Sequence, residues 1–163
     1  MCTLSWQADA FGYELFFSRD ERRARPIAKA PRESRSCGVR YLAPSDPQGG
    51  GAWLAVNEHG ISLALLNRYE LNAPARGDVV SRGGIVLALA AGRSPEEVES
   101  WLRELPLTRF APFDLAVFAP SAPVRRIGWD GRALEIERDP RGPLASSAVA
   151  APEARDWRTR RFS

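Results

Sequence analysis

The chain has 163 residues, of which 44% are hydrophobic and 26% charged, with a formal net charge of +3. That composition excludes a disordered or low-complexity chain and suits one domain spanning 1–163 around one core. No apolar run approaches the roughly 20 residues of a membrane span, and no basic segment leads into an apolar stretch as in a signal peptide, so the cytoplasm is the expected location. The sequence pI of 9.3 does not imply nucleic acid. Lys29 is the sole lysine, and the arginines are spread among acids, whereas a binding footprint clusters. Two cysteines, Cys2 and Cys37, and one histidine, His59, are too few for a disulfide framework or a Cys/His zinc site.

In chain order, 3–7 and 13–18 read as strands with Phe11-Gly12 in the turn between them. Residues 19–25 are charged, end at Pro26 and read as a loop. Residues 30–36 are polar and expected to be exposed, 39–42 suit a short strand, and 44–51 are a Pro/Gly/Asp loop. Residues 52–56 and 61–66 form the clearest hairpin, with Asn57-Glu58-His59-Gly60 as its turn. An apolar helix over 85–91 stops at Gly92. Ser94, Pro95 and Glu97 open a second helix with a capping box. Its residues Val98, Trp101, Leu102 and Leu105 recur at i, i+3, i+4 and i+7, which is one buried face.

Residues 113–118 are a strand. Segments 124–129 and 133–137 are joined by Asp130-Gly131 as a two-residue hairpin, 144–148 suit a last strand, and 152–161 form an arginine-rich tail carrying Trp157. Strands, then two helices, then strands predict an α+β fold of antiparallel sheet and helix layers. Strands 3–7, 13–18, 52–56 and 61–66 are expected to share antiparallel structure, with the 94–105 helix over one face.

The sharpest chemical feature is Cys2 directly after Met1. Removal of Met1 leaves a thiol and a free α-amine on one residue. The amine's unperturbed pKa of about 7.7–8.0 lets it accept the thiol proton, as the amine of an N-terminal threonine nucleophile does. Arg19 ends the strand expected beside the one that starts at Cys2, and adjacent antiparallel strands lie about 5 Å apart. A guanidinium there favours thiolate. Asn67 ends an apolar strand, where its amide N–H can donate to an oxyanion. His59 sits in a turn, where exposure is more usual than catalysis.

These residues fall in an order that resembles the NRDE/TANGO2-like family and, more distantly, the choloylglycine-hydrolase and penicillin-acylase group. The match begins at Met1-Cys2-Thr3 and continues at Phe17-Ser18-Arg19-Asp20-Glu21 with Arg25-Pro26. It is strongest over Gly50-Gly51-Ala52-Trp53-Leu54-Ala55-Val56-Asn57-Glu58-His59-Gly60, then runs through Leu65-Leu66-Asn67-Arg68 and Ser81-Arg82-Gly83. The resemblance implies an N-terminal-nucleophile (Ntn) hydrolase fold of αββα layers, shortened at the C-terminus. It implies Cys2 as nucleophile, its amine as base, Arg19 as charge stabiliser, Asn67 as oxyanion donor and Asp20 as a candidate for orienting the amine. The expected partner is a small amide or acyl substrate, with no cofactor. Ser18 stands where the family has Asn, Arg22 where the acylases have Asp, and Ser146 where they have a second functional asparagine. The alternative is a non-enzymatic protein that handles haem, lipid or acyl-CoA on the same fold, with Cys2, Cys37 or His59 as possible haem-iron ligands.

Overall fold

A computed structural model describes residues 2–69, 71 and 80–146. The strands are β1 (Cys2–Ala8), β2 (Tyr13–Arg19), β3 (Lys29–Ser36), β4 (Val39–Ser45), β5 (Leu54–Asn57) and β6 (Ser62–Asn67), followed after the helices by β7 (Phe113–Phe118), β8 (Arg125–Trp129), β9 (Leu134–Arg138) and β10 (Leu144–Ser146). The helices α1 (Gly83–Leu89) and α2 (Pro95–Glu104) lie between β6 and β7. The fold is α+β, with every strand pairing antiparallel.

The four strands expected to share sheet structure divide between two sheets. One has three strands in the order β10-β1-β2, and the other has seven in sequence order from β3 to β9. Central strands β6 and β7 are buried along both faces, so their side chains alternate between two cores. Leu63, Leu65, Leu115 and Val117 join Ile85, Val86 and Leu89 of α1 and Val98 and Leu102 of α2. Ala64, Leu66, Ala116 and Phe118 face the small sheet and pack with Leu4, Trp6, Leu15 and Phe17. Trp6 meets Phe118 edge-on at 5.6 Å. The described residues thus supply a helix layer and two sheet layers of the expected αββα arrangement. Beyond the small sheet, the same face of the large one carries an ionic lattice. Arg126 there binds Asp114 at 2.9 Å and Glu137 at 3.0 Å.

Local chemistry explains most element ends. Ser94 Oγ accepts from Glu97 N–H, but the Glu97 carboxylate reaches one residue further back than a capping box would, to the N–H of Arg93. Asn57 is buried with four partners. Its Nδ2 donates to the carbonyls of Ala90 and Gly92, and its Oδ1 accepts from the N–H groups of His59 and Ile61. It ties the β5–β6 turn to the end of α1.

Two local expectations are corrected. Residues 30–36 are exposed, as their polarity requires, but they form the edge strand β3, whose charges suit a solvent-facing edge. The β8–β9 connection spans 130–133 rather than two residues, because the Asp130 carboxylate accepts from the N–H groups of Arg132 and Ala133 and widens the turn. The last strand is described over Leu144–Ser146, and the rest of the expected 144–148 strand, like the 152–161 tail with Trp157, lies outside the described residues.

One contact sets how closely α1 approaches β5. Ala52 N–H donates to the Gly83 carbonyl at 3.1 Å, and a Cβ on Gly51 would lie 2.4 Å from the Gly83 carbonyl carbon. Gly51→Ala is therefore expected to cost about 1–3 kcal/mol by overpacking. A Cβ on Gly84 meets nothing within 4 Å, so Gly84→Ala is expected to be neutral or to stabilise by up to about 1 kcal/mol through helix propensity. Thermal melting of both variants checks this, and equal effects would contradict the close-approach account.

Candidate active site

The first residue of β1 and the last of β2 meet in register: Cys2 pairs with Arg19 on one side and with Ser146 of β10 on the other. Asn67 closes β6 at the same end of the molecule. Cys2, Arg19 and Asn67 all line one cleft of about 450 Å³, together with Glu21, Arg25, Asp46, Trp53, Tyr69, Ser81 and Arg82. Gly51 and Gly83 form part of its wall, so the glycine contact between α1 and the segment before β5 also shapes this space.

Arg19 is held on three sides. Its guanidinium lies 4.2 Å from the centre of the Trp53 ring, 2.8 Å from Glu21 and 3.1 Å from Asp46. Arg25 binds the same Asp46 oxygen and lies 3.4 Å from Glu21. Asp46 also accepts from the N–H of Gln48. Burial alone would raise its pKa, but the Arg25 hydrogen bond and the N–H groups of Gln48 and Gly49 bring it below the usual carboxylate value. Two cations and two carboxylates thus form a neutral lattice beside Cys2.

That lattice limits what Arg19 does for the thiol. Burial pushes the Cys2 pKa up. The chain's terminal ammonium, Arg19 and the Ser146 hydroxyl favour thiolate, Glu21 opposes them, and the net result is a raised pKa. In the full-length chain that ammonium belongs to Met1. Asn67 donates through Nδ2 to the Tyr69 hydroxyl at 2.6 Å, which leaves its second N–H for another acceptor. Arg82 donates to the Pro112 carbonyl at 2.8 Å and stands 5.7 Å from the Tyr69 ring centre.

Asp20 is exposed and does not line the cleft, because it follows Arg19 where the chain leaves the strand. Glu21 and Asp46 are the acids that reach Arg19. Asp46 lies in a loop whose Pro and Gly content gives turn chemistry but no hint of a partner. His59 sits exposed in the β5–β6 turn, and Cys37 sits exposed at the β3–β4 tip with φ of 48°. Neither shares the cleft with Cys2. Among the described residues no group of three or more His, Cys, Asp or Glu side chains could hold a metal, and no helix is long and apolar enough to cross a membrane.

Residues 1–128 match the family described as Transport and Golgi organisation 2, a span that runs past the quoted motifs to β8. No curated protein matches the chain. Among solved structures, a variant of the conjugated bile acid hydrolase from Clostridium perfringens is 12% identical with a TM-score of 0.53, covering 98% of this chain and 48% of that one. Penicillin V acylase from Agrobacterium tumefaciens is 13% identical with a TM-score of 0.46, covering 84% of this chain and 41% of that one. The bile acid hydrolase likeness shows the Ntn-hydrolase fold. The chain spans about half the length or less of these two structures.

The charges around Cys2 fix a pH behaviour for the chain that keeps Met1. Its Cys2 alkylation midpoint is expected above the ordinary thiol value of about 8.5. Glu21→Gln should lower that midpoint by removing a charge that favours the protonated thiol. Because the folded pKa is raised, the buried thiol's contribution to stability is full below the unfolded thiol's pKa. It is lost as pH rises through the folded value. Alkylation rate against pH, read by peptide mass, checks this, and a midpoint unmoved by Glu21→Gln would contradict it.

Proposed function

The chain belongs to the Transport and Golgi organisation 2 family, and on that premise we propose that it is an Ntn-type amidohydrolase or acyl transferase with Cys2 as nucleophile. The observation that carries the reading is that Cys2 opens a strand directly opposite Arg19, in a cleft they share with Asn67. The substrate is a small molecule bearing a non-peptide amide or a related acyl group.

The reaction begins with removal of Met1. The new α-amine of Cys2 takes the thiol proton, which the Arg19 guanidinium, already protonated and without a lone pair, does not do. The thiolate attacks the substrate carbonyl. Charge develops on the carbonyl oxygen, and the free N–H of Asn67 donates to it. The tetrahedral species collapses as the Cys2 ammonium returns its proton to the departing nitrogen. The C–N bond breaks and an S-acyl enzyme remains. Water, deprotonated by the same amine, then releases the acid and regenerates the thiol, or a second amine accepts the acyl group. Arg19 and Trp53 act as positioning residues that hold the end of β2 beside the nucleophile.

A free amine as base predicts a large difference between processed and unprocessed protein. Near neutral pH, Cys2 of the processed chain should react with a mild alkylating agent about 10²-fold faster than Cys2 behind a retained Met1, the lower range of general-base assistance. It should also outpace the exposed Cys37. Hydrolysis of a panel of N-acyl amides should vanish in Cys2→Ala while the variant stays folded. Labelling of Cys2 that is indifferent to Met1, or turnover that persists in Cys2→Ala, would overturn the proposal.

A further inference from the structure

Asp46 is buried in the cleft wall, and its two carboxylate oxygens serve different ends. Its backbone closes the 46–51 loop on itself. The Asp46 N–H donates to the Gly51 carbonyl and the Asp46 carbonyl accepts from the Gly50 N–H, each at 2.9 Å. Oδ1 accepts from the Gln48 N–H at 3.0 Å within the same loop. Oδ2 reaches out of the loop and binds Arg19 at 3.1 Å and Arg25. Asp46 thus ties the end of β2 to a loop whose last residue, Gly51, packs against Gly83 of α1. Arg19 faces Cys2 in strand register, so the place of its guanidinium relative to the thiol is set from this wall as well as from β2.

The same tie bears on charge. Asp46 and Glu21 both meet Arg19 at Nη2, one corner of the guanidinium. Among the described residues, the ionisable groups that line the cleft with Cys2 are Arg19, Glu21, Arg25, Asp46, Tyr69 and Arg82. A neutral residue in place of Asp46 makes this set more positive by one charge, whatever else surrounds it. Added positive charge near a thiol favours thiolate. We propose that Asp46 is a positioning residue that acts on Cys2 through Arg19, fixing the guanidinium in place while holding part of its charge back from the thiol. The cleft gives up some thiol reactivity and gains a fixed wall. The effect on reactivity follows from the geometry alone, and the effect on turnover rests on the reading of Cys2 as nucleophile.

Two substitutions separate charge from position. Asp46→Asn keeps an oxygen for the Gln48 N–H and removes the charge. Asp46→Glu keeps the charge and moves the carboxylate by one methylene. The full chain is used, with its N-terminal residue established by intact mass. Iodoacetamide is the reagent because it is neutral: the Cys2 thiolate displaces iodide and forms a C–S bond. Labelling against pH is read by peptide mass, and kcat is read on the N-acyl amide panel. Asp46→Asn should lower the labelling midpoint and speed labelling near neutral pH about threefold, the worth of one partly exposed ion pair. Its kcat should fall about 10-fold, because the guanidinium loses its fixed place. Asp46→Glu should keep the midpoint of the unsubstituted chain and still lose kcat. A rise in reactivity with a fall in turnover is a signature that simple loss of folding does not give, since that lowers turnover without lowering the midpoint of a folded fraction. If Asp46→Asn does not fold, Arg25→Gln decides: it leaves the Asp46 charge to Arg19 and should raise the midpoint. Labelling slowed or unchanged in Asp46→Asn, equal midpoint shifts in the Asn and Glu variants, kcat unchanged in both, or a midpoint that Arg25→Gln lowers or leaves unmoved would overturn the proposal. An unsubstituted chain without turnover would instead remove the nucleophile reading, and the midpoints alone would then decide the role of Asp46.

Discussion

The strand pairing of Cys2 on both sides is the constraint on which the rest of this molecule depends. Chain termini usually fray, yet β1 lies between β2 and β10, and its first described residue already has a cross-strand partner in each. Leu4 and Trp6, two and four residues on, face the same way and anchor the strand against Ala64, Leu66, Ala116 and Phe118. At the far end of the small sheet, the Tyr13 hydroxyl donates to the Gly60 carbonyl at 2.6 Å and lies 2.8 Å from Ser62 Oγ. The thiol is thus placed by sheet register and inter-sheet packing, which are stiffer than a loop. Whatever chemistry occurs at Cys2 starts from a fixed position.

Fixing the thiol by burial also makes it a poor nucleophile. The same enclosure that orders Cys2 disfavours its charge, and Glu21 adds to that penalty. Arg19 does not cancel it, because Asp46 and Glu21 already claim its guanidinium. Arg19 therefore helps chiefly by position, stacked on Trp53 and locked to the 46–51 loop. In the proposed mechanism an amine on Cys2 itself supplies what the surroundings withhold. The lattice of Arg19, Arg25, Glu21 and Asp46 organises the cleft without adding net charge to it.

Much of this was legible in the sequence, for physical reasons that differ by element. The β1–β2 and β5–β6 strands follow from apolar runs bounded by turn residues. The α2 helix follows from its cap and its i, i+3, i+4, i+7 face, of which Val98 and Leu102 are fully buried. The convergence of Cys2, Arg19 and Asn67 on one cleft was within reach because two are hairpin neighbours and the third ends a strand of the facing sheet. Asp46 and Arg82 were not assigned roles. Each acts through partners distant in sequence, Arg19 and Arg25 for one and Tyr69 and Pro112 for the other, and spacing carries no record of such pairs. Asp20, next to Arg19 in sequence, is exposed and is not among the residues that line the cleft. The division into two sheets was missed because periodicity reports which residues are buried but not which sheet buries them. The exposed β3 has no apolar alternation to mark it, and only its pairing with β4 makes it a strand.

The account stands on a free α-amine at Cys2, and intact mass measurement of protein purified from cells tests that directly. It predicts a chain lighter than the full sequence by one methionine, with the N-terminal peptide beginning at Cys2. A population in which Met1 is retained throughout would leave the thiol buried, protonated and without a base, and would contradict the nucleophile assignment.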